Sequence, residues 1–189
     1  MNELDILKKL ISIDSQCTKS NTEIVQYIAS LFPSENVKIT PIQKDGYNIY
    51  NLEIKFEGKK SDKPLIFSGH TDTVQITNKW NRNPLNPSVE DDKLYGLGSS
   101  DMKAGLACMI AAALEITEKP KQDIWFLFDA DEELNCDGGK EFLQRLDVPS
   151  KQAKIIIGEP TAGQLEIGQK GCLELKVKIQ GKAFHSTKT

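Results

Sequence analysis

The chain has 189 residues, 24 Lys+Arg against 27 Asp+Glu, a net charge of −3, and 39% apolar with 27% charged residues. That is enough for one domain with a sizeable core, or one domain and part of a second, and it excludes a disordered or fibrous chain. No basic footprint exceeds short pairs such as Lys8-Lys9 and no apolar run reaches membrane length, so neither nucleic acid nor a bilayer is an expected partner.

Residues 3 to 13 carry Leu4, Leu7, Leu10 and Ile11 at helical spacing, and a second helix is predicted behind Asn21 or Thr22, with Ile24, Tyr27, Ile28 and Leu31 on one face and Pro33 as its stop. Val37-Lys38-Ile39 and the alternating Tyr47 to Ile54 read as strands, and Gly58 to Pro64 as a charged turn. Three short continuous apolar runs follow, at Pro64 to Phe67, Ile124 to Phe128 and Ile155 to Ile157, the pattern of strands buried on both faces. An Ala-rich helix from Lys103 to Glu118 separates the first two, and a shorter one from Gly139 to Leu146 separates the second two. Val74 to Leu94 reads as a surface loop, and from Cys172 the alternation of Leu173, Leu175, Val177 and Ile179 predicts a strand of another sheet. The fold class is therefore α/β, a largely parallel sheet covered by helices, with functional residues at the carboxyl ends of its strands.

Polar residues stand just past the buried elements: His70-Thr71-Asp72, Asp101, Glu132-Glu133 and Glu159. Singly each has an ordinary explanation, such as a hydrogen-bonded histidine or a helix-capping aspartate. Jointly they suggest a metal site, because the acids Asp129, Asp131, Glu132 and Glu133 behind one buried strand repel one another unless a cation is close. One imidazole with several carboxylates suits Zn²⁺, Co²⁺ or Mn²⁺, and a carboxylate can bridge two such ions. No H-E-x-x-H, nucleophile elbow or phosphate loop competes, and Gly96-Leu97-Gly98-Ser99-Ser100-Asp101 has an acid where a dinucleotide loop has its third glycine. The four cysteines, Cys17, Cys108, Cys136 and Cys172, form no C-x-x-C pair. With acids rather than bases at the N-terminus and no glycosylation sequon, they predict free thiols in the cytoplasm.

Four segments, Ser68 to Val74, Leu94 to Lys103, Asp131-Glu132-Glu133 and Gly158-Glu159-Pro160-Thr161, resemble in order the motifs of the M20 metallopeptidases. The resemblance implies two divalent ions, Zn(2+) or Co(2+), with His70 and Glu159 on one, Glu133 on the other and Asp101 bridging. It makes Asp72 the carboxylate that fixes the imidazole, and Glu132 the base that takes a proton from the attacking water and returns it to the leaving amine. It also implies a cis peptide at Asp101-Met102. Residues 1–170 would then form the metal-binding catalytic domain. Residues 171–189 would begin an α+β lid or dimerisation domain, with His185 stabilising the transition state. Family members run well beyond this length and supply a last metal-binding histidine further on. The chain is accordingly read as truncated within the lid and poorly active alone. The expected substrate is a small N-acyl amino acid, as for acetylornithine deacetylase, or a short peptide. A succinyl-diaminopimelate desuccinylase, a di- or aminopeptidase and a non-catalytic metal-binding module are the alternatives, and a homodimer through the lid is implied for a full-length protein.

Overall fold

A computed structural model describes residues 1–60, 63–145, 153–171 and 175–181. The chain begins with α1 (Glu3–Ser12), whose free N-terminal amides are met by the Asn2 side chain accepting from Asp5 N at 2.8 Å. The second helix, α2 (Thr22–Ala29), ends before Pro33, and a 3-10 turn (Ser34–Asn36) leads into β1 (Val37–Lys44). Asp45-Gly46 closes a two-residue hairpin onto β2 (Tyr47–Phe56), with Gly46 at φ +89°, which side chains rarely tolerate. Then come β3 (Leu65–His70), β4 (Ser88–Glu90), β5 (Lys93–Tyr95), α3 (Lys103–Leu114), β6 (Ile124–Asp129), α4 (Asp137–Arg145) and β7 (Lys154–Ile157).

The main sheet has the order β1-β2-β6-β3-β7. Its β6-β3-β7 part is parallel, as the alternation of strands and helices predicts, and the β1–β2 hairpin extends it antiparallel, so the whole is mixed. The pleat sorts the side chains by layer. Leu52, Ile54, Phe126 and Phe128 join Ile6, Leu10, Ile24, Ile28, Leu106 and Ile110 in one core beneath α1, α2 and α3. Ile66 and Leu127 meet Phe142 of α4 in the smaller core of the opposite face. On that second face Asn51 Nδ2 donates to Glu141 Oε2 and to the Gly138 carbonyl, both at 2.8 Å, and the buried Glu53 pairs with Arg145. These contacts give a polar face of β2 its partners and seat α4.

Three expectations are corrected. The Val74 to Leu94 stretch is not all loop, since β4 and β5 pair across Asp91 and Asp92, both at positive φ (48° and 59°) as a tight two-residue turn requires. No β-branched run announces these three-residue strands, which is why alternation misses them. Second, β7 is not buried: Ile155, Ile156 and Ile157 are 58%, 50% and 62% exposed, because β7 forms the sheet edge and among the described residues no strand lies beyond it. Third, the strand expected from Cys172 to Ile179 is absent from 175–181, where the backbone is unpaired and exposed; a strand needs a neighbour for its amides, and none stands there among the described residues. Residues 172–174, and His185 with the rest of 182–189, lie outside the described residues. No helix among the described residues is long and apolar enough to cross a membrane.

Phe126 anchors the larger core. It is 1% exposed, stacked on Phe67 at 5.0 Å between centroids and edge-on to Phe56 at 6.2 Å. Phe126→Ala is expected to lower the unfolding free energy by about 3–5 kcal/mol, read from urea denaturation, with Phe126→Leu recovering most of the loss.

Candidate metal centre

Because β3, β6 and β7 are parallel, their carboxyl ends lie together, and α3 and α4 cover opposite faces of that part of the sheet. His70 is the last residue of β3, Asp129 the last of β6 and Glu159 stands two residues past β7. This is the crevice where α/β sheets place ligands. Asp101 reaches it from the loop before α3, through an Asp101–Met102 peptide that is cis, as the resemblance implies.

That loop is held from beneath. Met102 is fully buried against Gly69, Gly105 and Gly158; a Cβ on Gly69 would lie 2.4 Å from Met102 Cε, and one on Gly105 would lie 2.1 Å from the Gly158 carbonyl oxygen. Only glycine permits that approach of α3 to the ends of β3 and β7. The His70 amide donates to Met102 Sδ at 3.2 Å. Lys103, 1% exposed, donates from Nζ to the Leu10 and Ile13 carbonyls, both at 2.9 Å, and so ties the loop to the end of α1. Burial pulls its pKa down to about 8 against the opposing attraction of the Asp14 carboxylate.

At the centre, His70 Nε2 lies 3.1 Å from Asp101 Oδ1, 3.6 Å from Glu159 Oε1 and 3.9 Å from Glu132 Oε2. Ligand atoms of His70, Asp101 and Glu159 all fall within 4.8 Å of one another. Glu133 stands outside that group. The contact expected of the Asp72 carboxylate is made instead by its backbone: Nδ1 is 2.9 Å from the Asp72 carbonyl and 3.7 Å from Oδ1. A carbonyl only accepts, so Nδ1 carries a proton and Nε2 is the nitrogen presented to the acids. The Asp72 carboxylate does other work, accepting from the Glu132 amide at 3.3 Å and the Glu133 amide at 3.2 Å. A single residue thus orients the ring and holds the acidic turn.

The electrostatics fit a cation. Burial pulls the His70 imidazolium down, but Asp72, Glu159 and Glu132 outweigh it and hold its pKa above the usual value. Burial raises Glu133 and Glu159, and Asp101 and Glu132 add to both. Asp129, half-buried at the end of β6, is pushed up to about 7, first by desolvation and further by Asp72 and Glu132 against the opposing pull of His70. A divalent ion among these groups would relieve the repulsion, and an imidazole nitrogen with carboxylate oxygens is a fitting donor set for one.

Two contributors to the site escape a reading of motifs. Asn21, at the start of α2, makes no cap bond and instead donates from Nδ2 to Thr71 Oγ1 and to the Tyr50 carbonyl, both at 2.8 Å; Thr71 Oγ1 in turn donates to the Asp129 carbonyl at 3.0 Å. Lys44, at the end of β1, pairs with Asp131 and Asp137 on either side of the Glu132-Glu133 turn. The buried charge of Asp131 signals that some cation is near, yet nothing in the sequence says which one, 87 residues away.

A helix-covered sheet with an imidazole and carboxylates gathered at its strand ends is a zinc-peptidase-like architecture, and comparison with known proteins agrees. Peptidase family M20/M25/M40 matches residues 66–185, and the chain belongs to that family. Acetylornithine deacetylase of Buchnera aphidicola subsp. Schizaphis graminum is 32% identical over 178 residues, covering 93% of this chain and 46% of that protein. The enzyme of the same name from Pectobacterium carotovorum subsp. carotovorum is 34% identical over 179 residues, 92% of this chain and 45% of its own length. The chain therefore spans about half the length of the curated relatives it matches. In fold it is similar to human carnosine dipeptidase 1 (TM-score 0.64, 17% identity, 82% of this chain and 37% of that one). It is also similar to aminopeptidase PepT from Bacillus cereus (TM-score 0.59, 24% identity, 82% and 42%).

Protons and a divalent ion compete for His70 Nε2 and the carboxylates around it. Affinity for Zn²⁺ or Co²⁺ should therefore fall steadily as pH drops from about 8 to about 6, with proton release on binding. Calorimetric titration in two buffers of different ionisation enthalpy measures both, and His70→Ala should remove most of the affinity and reduce the pH dependence to the part carried by the raised carboxylates.

Proposed function

We propose that this chain carries the metal-holding and general-base residues of a metal-dependent amidohydrolase that cleaves the amide bond of an N-acyl amino acid, with N-acetylornithine the first substrate to test. The observation that carries the reading is the convergence of Asp101, Glu159 and Glu132 within 3.9 Å of one imidazole nitrogen, at the carboxyl end of a parallel sheet. The acetyl group and ornithine are suggested by the names of the relatives at 32% and 34% identity.

In this reading His70 and Glu159 would hold one ion and Glu133 a second, with Asp101 a ligand to both; Zn(2+) or Co(2+) would suit the donors. When bound, such ions acidify water and polarise an amide carbonyl. The remaining steps belong to the chain. Glu132, with its side chain 45% exposed and its amide fixed by Asp72, is free to reach substrate while its backbone stays in place. Its carboxylate accepts a proton from the water that attacks the amide carbon. The same proton then passes to the leaving nitrogen as the C–N bond breaks, giving a carboxylic acid and an amine, which part as carboxylate and ammonium once the second proton of the water follows. Asp72 supports both the ring and the base. His185 is assigned a transition-state contact, in a lid that begins near residue 171 and would also form the dimer. Cys17, Cys108 and Cys136 are free thiols, in keeping with the cytoplasm.

In a full-length protein containing this segment, Glu132→Gln should lower kcat on N-acetylornithine by about 10²–10⁴-fold while bound metal, read by elemental analysis, stays unchanged. An unaltered kcat would remove Glu132 as the base. Metal uptake with no turnover of N-acetyl, N-succinyl or dipeptide substrates by a full-length protein containing this segment would favour a non-catalytic metal-binding module, since the 189 residues alone are expected to be poorly active.

A further inference from the structure

We infer that Lys44 is a positioning residue of the metal centre: from the end of β1 it clamps the base of the acidic turn and so sets where Glu132 and Glu133 stand. The inference rests on the roles proposed above for those two glutamates.

Lys44 Nζ lies 2.8 Å from Asp131 Oδ2 and 2.6 Å from Asp137 Oδ2, with its side chain 14% exposed. The Asp131 side chain is 0% exposed, and among the described residues Lys44 is its one ion-pair partner. Its other oxygen, Oδ1, is buried with no hydrogen-bond partner. A carboxylate so placed depends on its single cation, since removing one member of a buried pair strands the other charge in a poor solvent.

Asp131 is also the residue on which the turn is wound. It sits at φ 68°, and its carbonyl collects the amides of Leu134, Asn135 and Cys136 at 3.4, 3.1 and 2.6 Å. Immediately after it come Glu132 and Glu133, whose amides are pinned by the Asp72 carboxylate. The two glutamates therefore hang between two anchors, Asp72 on their amide side and Lys44 on the side of the preceding residue. Asp137 opens α4, so the same ammonium group fixes the other end of the turn. Lys44 itself makes no ion pair with His70, Asp101, Glu132, Glu133 or Glu159. Without Lys44, the least costly relief for Asp131 is to rotate toward water. That movement carries Glu132 and Glu133 away from His70 and leaves β6, which ends at Asp129, in place.

The test uses the 189-residue chain, with Co²⁺ titration and backbone amide exchange as readouts. Lys44→Met is expected to weaken the Glu133-dependent ion by about 10–100-fold, the range for loss of a group supporting a ligand, while the ion on His70 and Glu159 is unaffected. Lys44→Arg should restore binding. Lys44→Met in a Glu133→Gln background should add nothing further, because both act through the same carboxylate. In Lys44→Met the Glu132 and Glu133 amides should exchange faster while those of Phe126 and Phe128 do not. Asp131→Asn, which removes the charge that needs Lys44, should rescue the fold of Lys44→Met if that variant unfolds, while the fast exchange at Glu132 and Glu133 persists. Unchanged metal affinity and exchange in Lys44→Met would overturn the inference, as would additive losses with exchange raised uniformly through β6, the mark of a merely structural staple. If Glu133→Gln alone leaves metal binding intact, the proposed role of Glu133 falls, and amide exchange still decides whether Lys44 holds the turn.

Discussion

Carboxylates gathered at one end of a sheet repel one another, and the surrounding structure acts against that repulsion. Asp101, Glu132 and Glu159 all approach Nε2 of a histidine that is almost wholly buried, with Asp72 on the Nδ1 side and Asp129 opposite it across the β3–β6 pair. Burial by itself pushes such groups toward their neutral forms. What keeps the geometry is a set of neutral and charged supports, each drawn from a different element. The Asp72 carbonyl holds the ring, two backbone amides satisfy the Asp72 carboxylate, Met102 wedges the Asp101 loop among three glycines, and Lys44 neutralises Asp131.

These supports explain why so much of the chain serves one crevice. The larger core, with Phe126 and Phe128 against α1 and α3, fixes the strand that delivers the acidic turn. Lys103 extends from α3 into the end of α1 and so couples the Asp101 loop to the first helix. On the opposite face, Asn51 and Glu53 direct polar groups of β2 into α4 and place the helix that follows the turn. Membership of a family of metal-dependent hydrolases follows from the sequence match, and the local geometry gives that membership a physical basis: a preorganised donor set needs rigid elements behind it.

Much of this was readable before any coordinates. Each helix and each strand of the main sheet lies close to where its period and flanking residues point, because those signals are local: 3.6-residue spacing in α1, alternation in β2, a continuous apolar run in β6. The ends are less exact, since α3 stops at Leu114 rather than Glu118 and β1 runs on from Ile39 to Lys44. His70, Asp101, Glu132, Glu133 and Glu159 stand at the ends of those elements, so the motifs that contain them were legible too. The β4–β5 hairpin was hidden because its strands are three residues long and its turn is Asp-Asp, without glycine.

Which acids and which histidine lie at strand ends is legible along the chain, since element length and polarity are properties of neighbouring residues. How those groups are held is not. That His70 is oriented by the carbonyl of Asp72, that Asp72 spends its carboxylate on the next turn, and that Lys44 of β1 is the cation for Asp131 all depend on pairings between distant segments. Such pairings are set by sheet order and by the layer to which each side chain points. The spacing of residues along the chain carries no record of either.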